Sequence, residues 1–121
     1  MPTRADAIAL LTAPGSPFEI GRADVHGQDL RVYVNAAPSL RAVWESTAVH
    51  GDALYLAYGD ERVTYAEAHA DVRKLAARLV EAGVVKGDRV AIGMRNYPEW
   101  VVAFWACQSI GAVVVLSLIH I

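Results

Sequence analysis

The chain has 121 residues, enough for one domain with a buried core, and 55% of them are hydrophobic. Its 11 basic and 13 acidic side chains give a net charge of −2 without a basic stripe, which argues against nucleic-acid binding. The single cysteine, Cys107, excludes an intramolecular disulfide, and the apolar stretch at residues 7–11 is too short for a signal-peptide core, so we expect a cytoplasmic location.

The N-terminal third predicts a short helix followed by two strands. Residues 3–13 suit a helix with Ile8 and Leu11 directed inward, and Pro14-Gly15 would end it. Residues 18–25 and 30–35 read as strands joined around His26-Gly27, because apolar and polar side chains alternate in the second run.

The next segment predicts a capped helix and a hairpin. Ser39 has the side chain of an N-cap, and the helix after it shares one apolar face, formed by Leu40, Val43, Trp44 and Ala48. Residues 54–58 and 62–65 would form a hairpin about Gly59-Asp60.

A longer helix follows the hairpin. Thr64 and Glu67 have the S/T-x-x-E spacing of a capping box, and Gly83 stands where a left-handed C-cap is expected. The helix between them carries one apolar stripe, composed of Ala68, Val72, Leu75, Leu79 and Ala82.

The C-terminal third predicts a strand–helix–strand unit. Residues 89–94 suit a buried strand, Asn96 would cap the next helix with Glu99 three residues later, and Gly111 would end it. Residues 112–116 suit another strand. Two strands joined by a helix imply a parallel pair with a right-handed crossover, so we expect an α/β fold built from βαβ units with a mixed or parallel sheet.

The same region has a competing interpretation as a membrane anchor. Residues 100–121 contain no Asp, Glu, Lys or Arg and are long enough to cross a bilayer as one helix. Gln108, Ser109 and Gly111 interrupt this stretch and no basic flank follows it, so a tail-anchored protein is the alternative and a βαβ unit the preferred interpretation.

No catalytic, cofactor-binding or metal-binding residue can be assigned from the sequence. The four histidines lack metal-ligand spacing, so we expect solvent or loop positions for His26, His50, His69 and His120. Cys107 has the apolar neighbours of a buried structural thiol. Glu67 and Glu99 have capping roles, Glu45 suits a solvated helix position, and core packing is the better interpretation of the tryptophans Trp44, Trp100 and Trp105.

The amino-acid sequence of residues 62–115 resembles the N-terminal region of enzymes of the adenylate-forming superfamily. Within that superfamily it resembles the AMP-forming, fatty-acyl-CoA ligase branch. The resemblance rests on Thr64-Tyr65 with Glu67, Leu75, Leu79, Gly83-Val84, Gly87-Asp88-Arg89-Val90-Ala91, Asn96 with Glu99, and Gly111-Ala112-Val113. It implies that residues 1–121 are a partial N-terminal segment of an AMP-binding domain. Members convert a carboxylic acid and ATP to an acyl-adenylate and then, in many cases, to a coenzyme A thioester.

The resemblance also implies what the segment lacks. ATP, Mg²⁺ and coenzyme A would be bound by later parts of the parent, a small-molecule carboxylic acid would be its substrate, and the 121-residue chain would be inactive alone and prone to self-association. An adenylating domain that loads a carrier protein is the alternative within the family. Residues 116–121 depart from the sequence pattern of the family, and we interpret them as a tail that is not native.

Overall fold

The chain divides into two compact units in the computed structural model, which describes residues 3–116. The first unit is Met1–Pro38 and the second is Ser39–Ile121. The sequence offers no linker signal at this boundary, and each unit is described by itself below.

The first unit is a helix and a hairpin. Helix α1 (Arg4–Thr12) begins with a capping box in which the Asp6 amide donates to the Thr3 hydroxyl and the Thr3 amide to the Asp6 carboxylate. Strands β1 (Ile20–Val25) and β2 (Gln28–Tyr33) pair antiparallel. The turn between them has positive φ at both central residues, 53° at His26 and 81° at Gly27, as a type I′ turn requires.

The predicted inward face of α1 is wrong. Ile8 and Leu11 are 51% and 48% exposed. Among the described residues of this unit none is buried, because one short helix and two strands offer no second layer to cover an apolar face.

The second unit opens with a helix and a hairpin, as predicted. Helix α2 (Leu40–Ser46) is capped by the Ser39 hydroxyl, which accepts from the Ala42 amide at 3.1 Å, and a 3₁₀ turn (Thr47–His50) follows it. Strands β3 (Leu54–Tyr58) and β4 (Glu61–Thr64) pair antiparallel.

Helix α3 (Tyr65–Glu81) has both of its predicted ends. The Thr64 hydroxyl accepts from the Glu67 amide at 3.2 Å, while the Glu67 carboxylate accepts from the Thr64 amide at 2.8 Å. At the other end Gly83 has φ of 93°, and the amides of Gly83 and Val84 donate to the carbonyls of Val80 and Leu79. These two bonds form a Schellman motif, which provides hydrogen-bond donors for carbonyls at the end of the helix that have no partner within it.

The C-terminal part is the predicted parallel unit. Strand β5 (Arg89–Ile92), helix α4 (Pro98–Ile110) and strand β6 (Val113–Leu116) follow one another, and β5 pairs parallel with β6 from Arg89 opposite Val113 to Ile92 opposite Leu116. Gly111 ends α4 with φ of 75°, and a Cβ there would lie 3.0 Å from the Lys86 Cγ.

The predicted cap of α4 is wrong. The N-cap is Tyr97, which makes no side-chain capping bond, and Asn96 lies outside the helix. Pro98 is the reason: the residue before a proline is driven to extended dihedrals, and Tyr97 has φ −96° and ψ 167°. Glu99 therefore lies in the first turn of α4, and it does not form the predicted capping pair with Asn96.

The alternative hypothesis of one membrane-spanning helix over residues 100–121 is also wrong for the described part of the chain. Helix α4 stops at Ile110 and β6 follows it. Among residues 3–116 no helix combines the length and hydropathy needed to cross a membrane. Most of the proposed tail, residues 117–121, lies outside the described residues.

Over residues 3–116 the architecture is mixed α/β, with three separate two-stranded sheets. The core of the second unit lies where α2, α3 and α4 meet, and its most buried members are Trp44, Ala68, Val72, Ala76 and Ala106. Four of the five residues of the predicted stripe of α3 are confirmed: Ala68 and Val72 are buried, and Leu75 and Leu79 pack against the core cluster. Ala82 is exposed, and Ala76 is buried instead.

Candidate functional site

An open groove of about 350 Å³ lies on the second unit, lined by side chains from α2, α3, α4 and the 3₁₀ turn. Its floor is apolar, with Val72 and Ala76, and its polar members are Arg41, Glu45, His69, Arg73 and Ser109. Trp44 also lines it. This groove is the candidate site on the described residues of the unit.

Trp44 is the centre of an aromatic stack that contributes to the lining of the groove. Its ring lies between His69, at a centroid distance of 4.0 Å, and Trp105, at 5.1 Å, with interplanar angles of 19° and 15°. The Trp105 indole N–H donates to the Tyr55 hydroxyl at 2.9 Å. The core packing predicted for Trp44 and Trp105 is confirmed, since both belong to the core cluster, and Trp100 is half-buried against Phe104.

The prediction of a solvent or loop position for His69 is wrong. His69 is a helical residue of α3 and is 8% exposed. Its Nε2 lies 3.0 Å from the Thr47 hydroxyl oxygen, and that hydroxyl donates to the Trp44 carbonyl at 2.7 Å. Because the Thr47 hydrogen is used there, the Thr47 oxygen accepts from the His69 Nε2–H, which fixes the neutral tautomer.

The surroundings of His69 favour this neutral form. Burial lowers the pKa of His69 below the usual range, and the nearby Arg73 cation lowers that pKa further. A sequence signal existed: His69, Val72 and Ala76 repeat at steps of three and four residues, so His69 belongs to the buried stripe.

The rim of the groove carries the charges. Arg41 and Glu45, one turn apart on α2, form an ion pair of 2.7 Å with both side chains about 60% exposed, so its contribution to stability is small. Arg73 forms no ion pair with any side chain of residues 3–116. With His69 neutral, the groove has a net charge of about +1 from these three ionised side chains.

The other candidate residues stay apart from one another. His26 lies in the β1–β2 turn. The His50 ring lies 4.8 Å from the Tyr65 ring at an interplanar angle of 44°, and His120 lies outside the described residues. Cys107 is buried as predicted, and burial raises the pKa of its thiol. Hydrogen bonds from the backbone and hydroxyl of Thr64 lower the pKa of Glu67, as its capping role requires.

The described residues do not fit a nucleotide–metal site. Within residues 3–116 no three His, Cys, Asp or Glu side chains lie close enough together to hold a metal ion. The sequence contains neither of the two glycine-rich phosphate-binding motifs, G-x-G-x-x-G and G-x-x-x-x-G-K-[ST].

Comparison with known proteins gives concordant results. A medium/long-chain-fatty-acid–CoA ligase, FadD6 of Mycobacterium tuberculosis, is 38% identical over 80 residues, which cover 65% of this chain and 13% of that protein. An acetyl-coenzyme A synthetase of Streptomyces avermitilis is 49% identical over 70 residues, or 54% of this chain and 11% of that one. The chain thus spans about a tenth of the length of the curated relatives it matches.

Solved structures agree with the fold. The Klebsiella oxytoca NpsA N-terminal subdomain in complex with anthranilyl-AMSN superimposes with a TM-score of 0.65 at 27% identity, over 69% of this chain and 22% of that one. Coronafacic acid ligase from Pectobacterium brasiliense superimposes with a TM-score of 0.63 at 28% identity, over 66% of this chain and 16% of that one. The sequence model of the AMP-binding enzyme family matches residues 43–118, which is most of the second unit. This chain belongs to the AMP-binding enzyme family.

Proposed function

We propose that residues 1–121 are the N-terminal segment of the large domain of an ATP-dependent acyl-CoA synthetase. The observation that carries the proposal is the family match over residues 43–118, which coincides with the helices and strands of the second unit. The two relatives described above are both named as enzymes that form coenzyme A thioesters.

The proposed reaction joins a small carboxylic acid to a thiol in two steps. The carboxylate attacks the α-phosphorus of ATP and pyrophosphate leaves, and the thiol of coenzyme A then displaces AMP. Charge develops on phosphate oxygens in the first step, so Mg²⁺ and hydrogen-bond donors around the triphosphate are required. Residues 3–116 supply no such set, so we assign them no step and propose that ATP, Mg²⁺ and coenzyme A bind elsewhere in the parent.

The segment's role in this proposal is to support the domain. Helix α4 covers one face of the β5–β6 pair, where Ala112 and Ile92 are buried. On that pair Val113 and Val115 are 50% and 44% exposed. Parallel sheets are normally covered on both faces, so this apolar face suits packing against another part of the parent. The same exposure supports self-association of the 121-residue chain when it is alone.

An adenylating domain that loads a carrier protein is the second candidate. One structural neighbour is described as an artificially fused adenylation–PCP di-domain, NpsA-ThdA, with a TM-score of 0.66 and 29% identity. Both candidates share the adenylation step and differ in the thiol that accepts the acyl group. We place either protein in the cytoplasm, in keeping with one buried, reduced cysteine.

A chimera tests the scaffold role. The 70-residue stretch of the S. avermitilis acetyl-coenzyme A synthetase that matches this chain would be replaced by the corresponding residues of this chain, and acetate-dependent exchange of pyrophosphate into ATP would be measured. We expect a folded, active enzyme. A matched pair of variants, Val72→Asp and Val80→Asp in the chimera, should lose and keep activity respectively, because Val72 is buried and Val80 is 54% exposed. A folded but inactive chimera would contradict the proposal.

The acceptor thiol requires the longer gene product. We would extend the coding sequence from genomic DNA, express the full protein and trap its acyl-adenylate with hydroxylamine across a panel of carboxylic acids. The best acid would then be supplied with either coenzyme A or a phosphopantetheinylated carrier protein. Thioester formation with coenzyme A supports the first candidate, and formation only on the carrier supports the second.

A further inference from the structure

The hairpin of the first unit places like charges opposite each other on one of its faces. In the register of β1 and β2, Arg22 lies opposite Arg31, and Asp24 lies opposite Asp29. Like charges in directly opposed positions destabilise a pair of strands. A diagonal ion pair of 2.6 Å between Arg22 and Asp29 relieves part of the repulsion, and the Asp24 carboxylate accepts from the Gly27 amide. Arg31 has no ion-pair partner among the side chains of residues 3–116.

The free edge of β2 presents the backbone of its charged residues. The Val34 amide donates to the Glu19 carbonyl at 2.9 Å, so these two residues are a hydrogen-bonded pair of the ladder. Hydrogen-bonded and non-hydrogen-bonded pairs alternate along antiparallel strands. The backbone groups of the even-numbered residues of β2 therefore face β1, and those of Asp29, Arg31 and Tyr33 face away from it. Within residues 3–116 no third strand joins this sheet.

Water satisfies these edge groups in a single chain, so the side chains decide which strand pairs with them. Two copies of β2, laid antiparallel about a two-fold axis at Leu30, bring Asp29 of each copy opposite Arg31 of the other. Both residues have outward-facing backbone groups, so each of the two pairs exchanges two backbone hydrogen bonds. Opposite charges in such positions stabilise strand pairing. On the other face Leu30, which is 43% exposed, meets its own copy.

The edge of β1 is a poorer site, although it carries the same spacing of charges. Arg22 and Asp24 are two residues apart, but both already have the partners within the chain described above. The residue between them is Ala23, whose methyl group offers less apolar contact than a leucine side chain. The unpaired cation and the exposed leucine therefore both favour β2.

The hairpin also has fewer strands than an amphipathic sheet needs. A two-stranded hairpin is marginally stable in water, and three or more strands with an apolar face are normally required. The face opposite the charges is apolar, and it includes Val25 and Leu30, which are 37% and 43% exposed. Two hairpins joined through β2 form a four-stranded sheet in which this apolar face is continuous.

We propose that the free edge of β2 is the interface of a symmetric dimer, with a second copy of this chain as the partner. Four backbone hydrogen bonds and two Asp29–Arg31 ion pairs join the copies. The interface is small, so we expect a dissociation constant of about 0.1–1 mM. The inference is independent of the proposed ligase function, since it uses only residues that precede the family match at 43–118.

The test is sedimentation equilibrium of the 121-residue chain and three variants. Arg31→Asp makes all four opposed positions acidic and should weaken the dimer about tenfold or more. The hairpin itself is kept, because residue 31 lies opposite Arg22. The double variant Asp29→Arg/Arg31→Asp exchanges the charges and should dimerise within about threefold of the parent. Arg4→Asp, on the exposed start of α1, changes the net charge as Arg31→Asp does and should leave the dimer unchanged.

Four results would overturn the proposal. One is a parent chain that remains monomeric at about 2 mM, well above the expected dissociation constant. Another is association that Arg31→Asp does not weaken, which would place the contact elsewhere, as on the exposed face of β5 and β6. Equal weakening by Arg31→Asp and Arg4→Asp would mean general charge repulsion only. The last is a double variant that dimerises as weakly as Arg31→Asp, because the opposed charges would then have no role.

Discussion

Replacing Val72 by alanine tests the core of the second unit. Val72 is 2% exposed and packs in the cluster with Trp44, Ala68, Ala76 and Ala106. The change removes two carbon atoms, worth about 1.6 kcal/mol of transfer free energy at ~0.8 kcal/mol per buried carbon, and the remaining cavity adds to that.

Val80 is the matched control because it lies on the same helix and is 54% exposed. Val80→Ala should lose only about 0.7 kcal/mol of burial by the same rule. Alanine is the better helix former by roughly 0.6 kcal/mol, but this gain applies to both positions and cancels in the comparison. The difference between the two variants should therefore be about 1–2 kcal/mol, including the cavity term.

The measurement is urea denaturation of both variants and the parent chain, followed by far-UV circular dichroism, at a concentration where the chain is monomeric. Equal midpoints and slopes for the two variants would refute the placement of Val72 in the core. A larger loss at Val80 would mean that α3 presents its other face to α2 and α4.

Four further outcomes are expected. Thr64→Ala should lower stability by about 1 kcal/mol while Thr64→Ser keeps it, because only the alanine removes the cap oxygen; equal melting curves would contradict the capping box. Gly83→Ala should cost about 1–2 kcal/mol at its φ of 93°, whereas Gly93→Ala, with open space and no positive φ, should cost nothing measurable. The pKa of His69 is lowered on folding, so the unfolded chain binds the proton at a higher pH than the folded chain does. The free energy of unfolding should therefore fall as pH drops below about 6.5. The variant His69→Gln should lack this pH dependence when the free energy of unfolding is measured across an acid titration. The 121-residue chain alone should show no carboxylate-dependent exchange of pyrophosphate into ATP, and reproducible exchange would show that it holds a nucleotide site after all.

Local signals account for the features that sequence reasoning predicted well. The caps of α3 depend on Thr64, Glu67 and Gly83, which contact atoms three residues away, so their spacing is visible in the sequence. The parallel β5–β6 pair also follows from local chemistry, because a strand–helix–strand run leaves few other arrangements.

The features it missed depend on neighbours distant in sequence. His69 is buried because the ring of Trp44, which is 25 positions earlier in the chain, stacks on it, and Trp44 is in turn stacked on Trp105. Ile8 and Leu11 have the periodicity of an inward face, but the first unit contains nothing that buries them. At the start of α4 two local preferences compete, and the dihedral restriction imposed by Pro98 outweighs the capping tendency of Asn96.

The groove was invisible in the sequence for a related reason. It is formed only when α2, the 3₁₀ turn, α3 and α4 come together, and α3 and α4 lie far from α2 in the sequence. Composition and spacing cannot show which atom of a side chain remains uncovered.

Helix α3 carries the determinants of both its ends within the chain segment from Thr64 to Val84. The residues at which it starts and stops are therefore specified locally. A ribosome that has released residues 1–84 has already exposed every capping residue that starts and stops this helix. The segment should also keep its helical register when transplanted into a relative, so a graft at these boundaries changes side chains without shifting the backbone that follows.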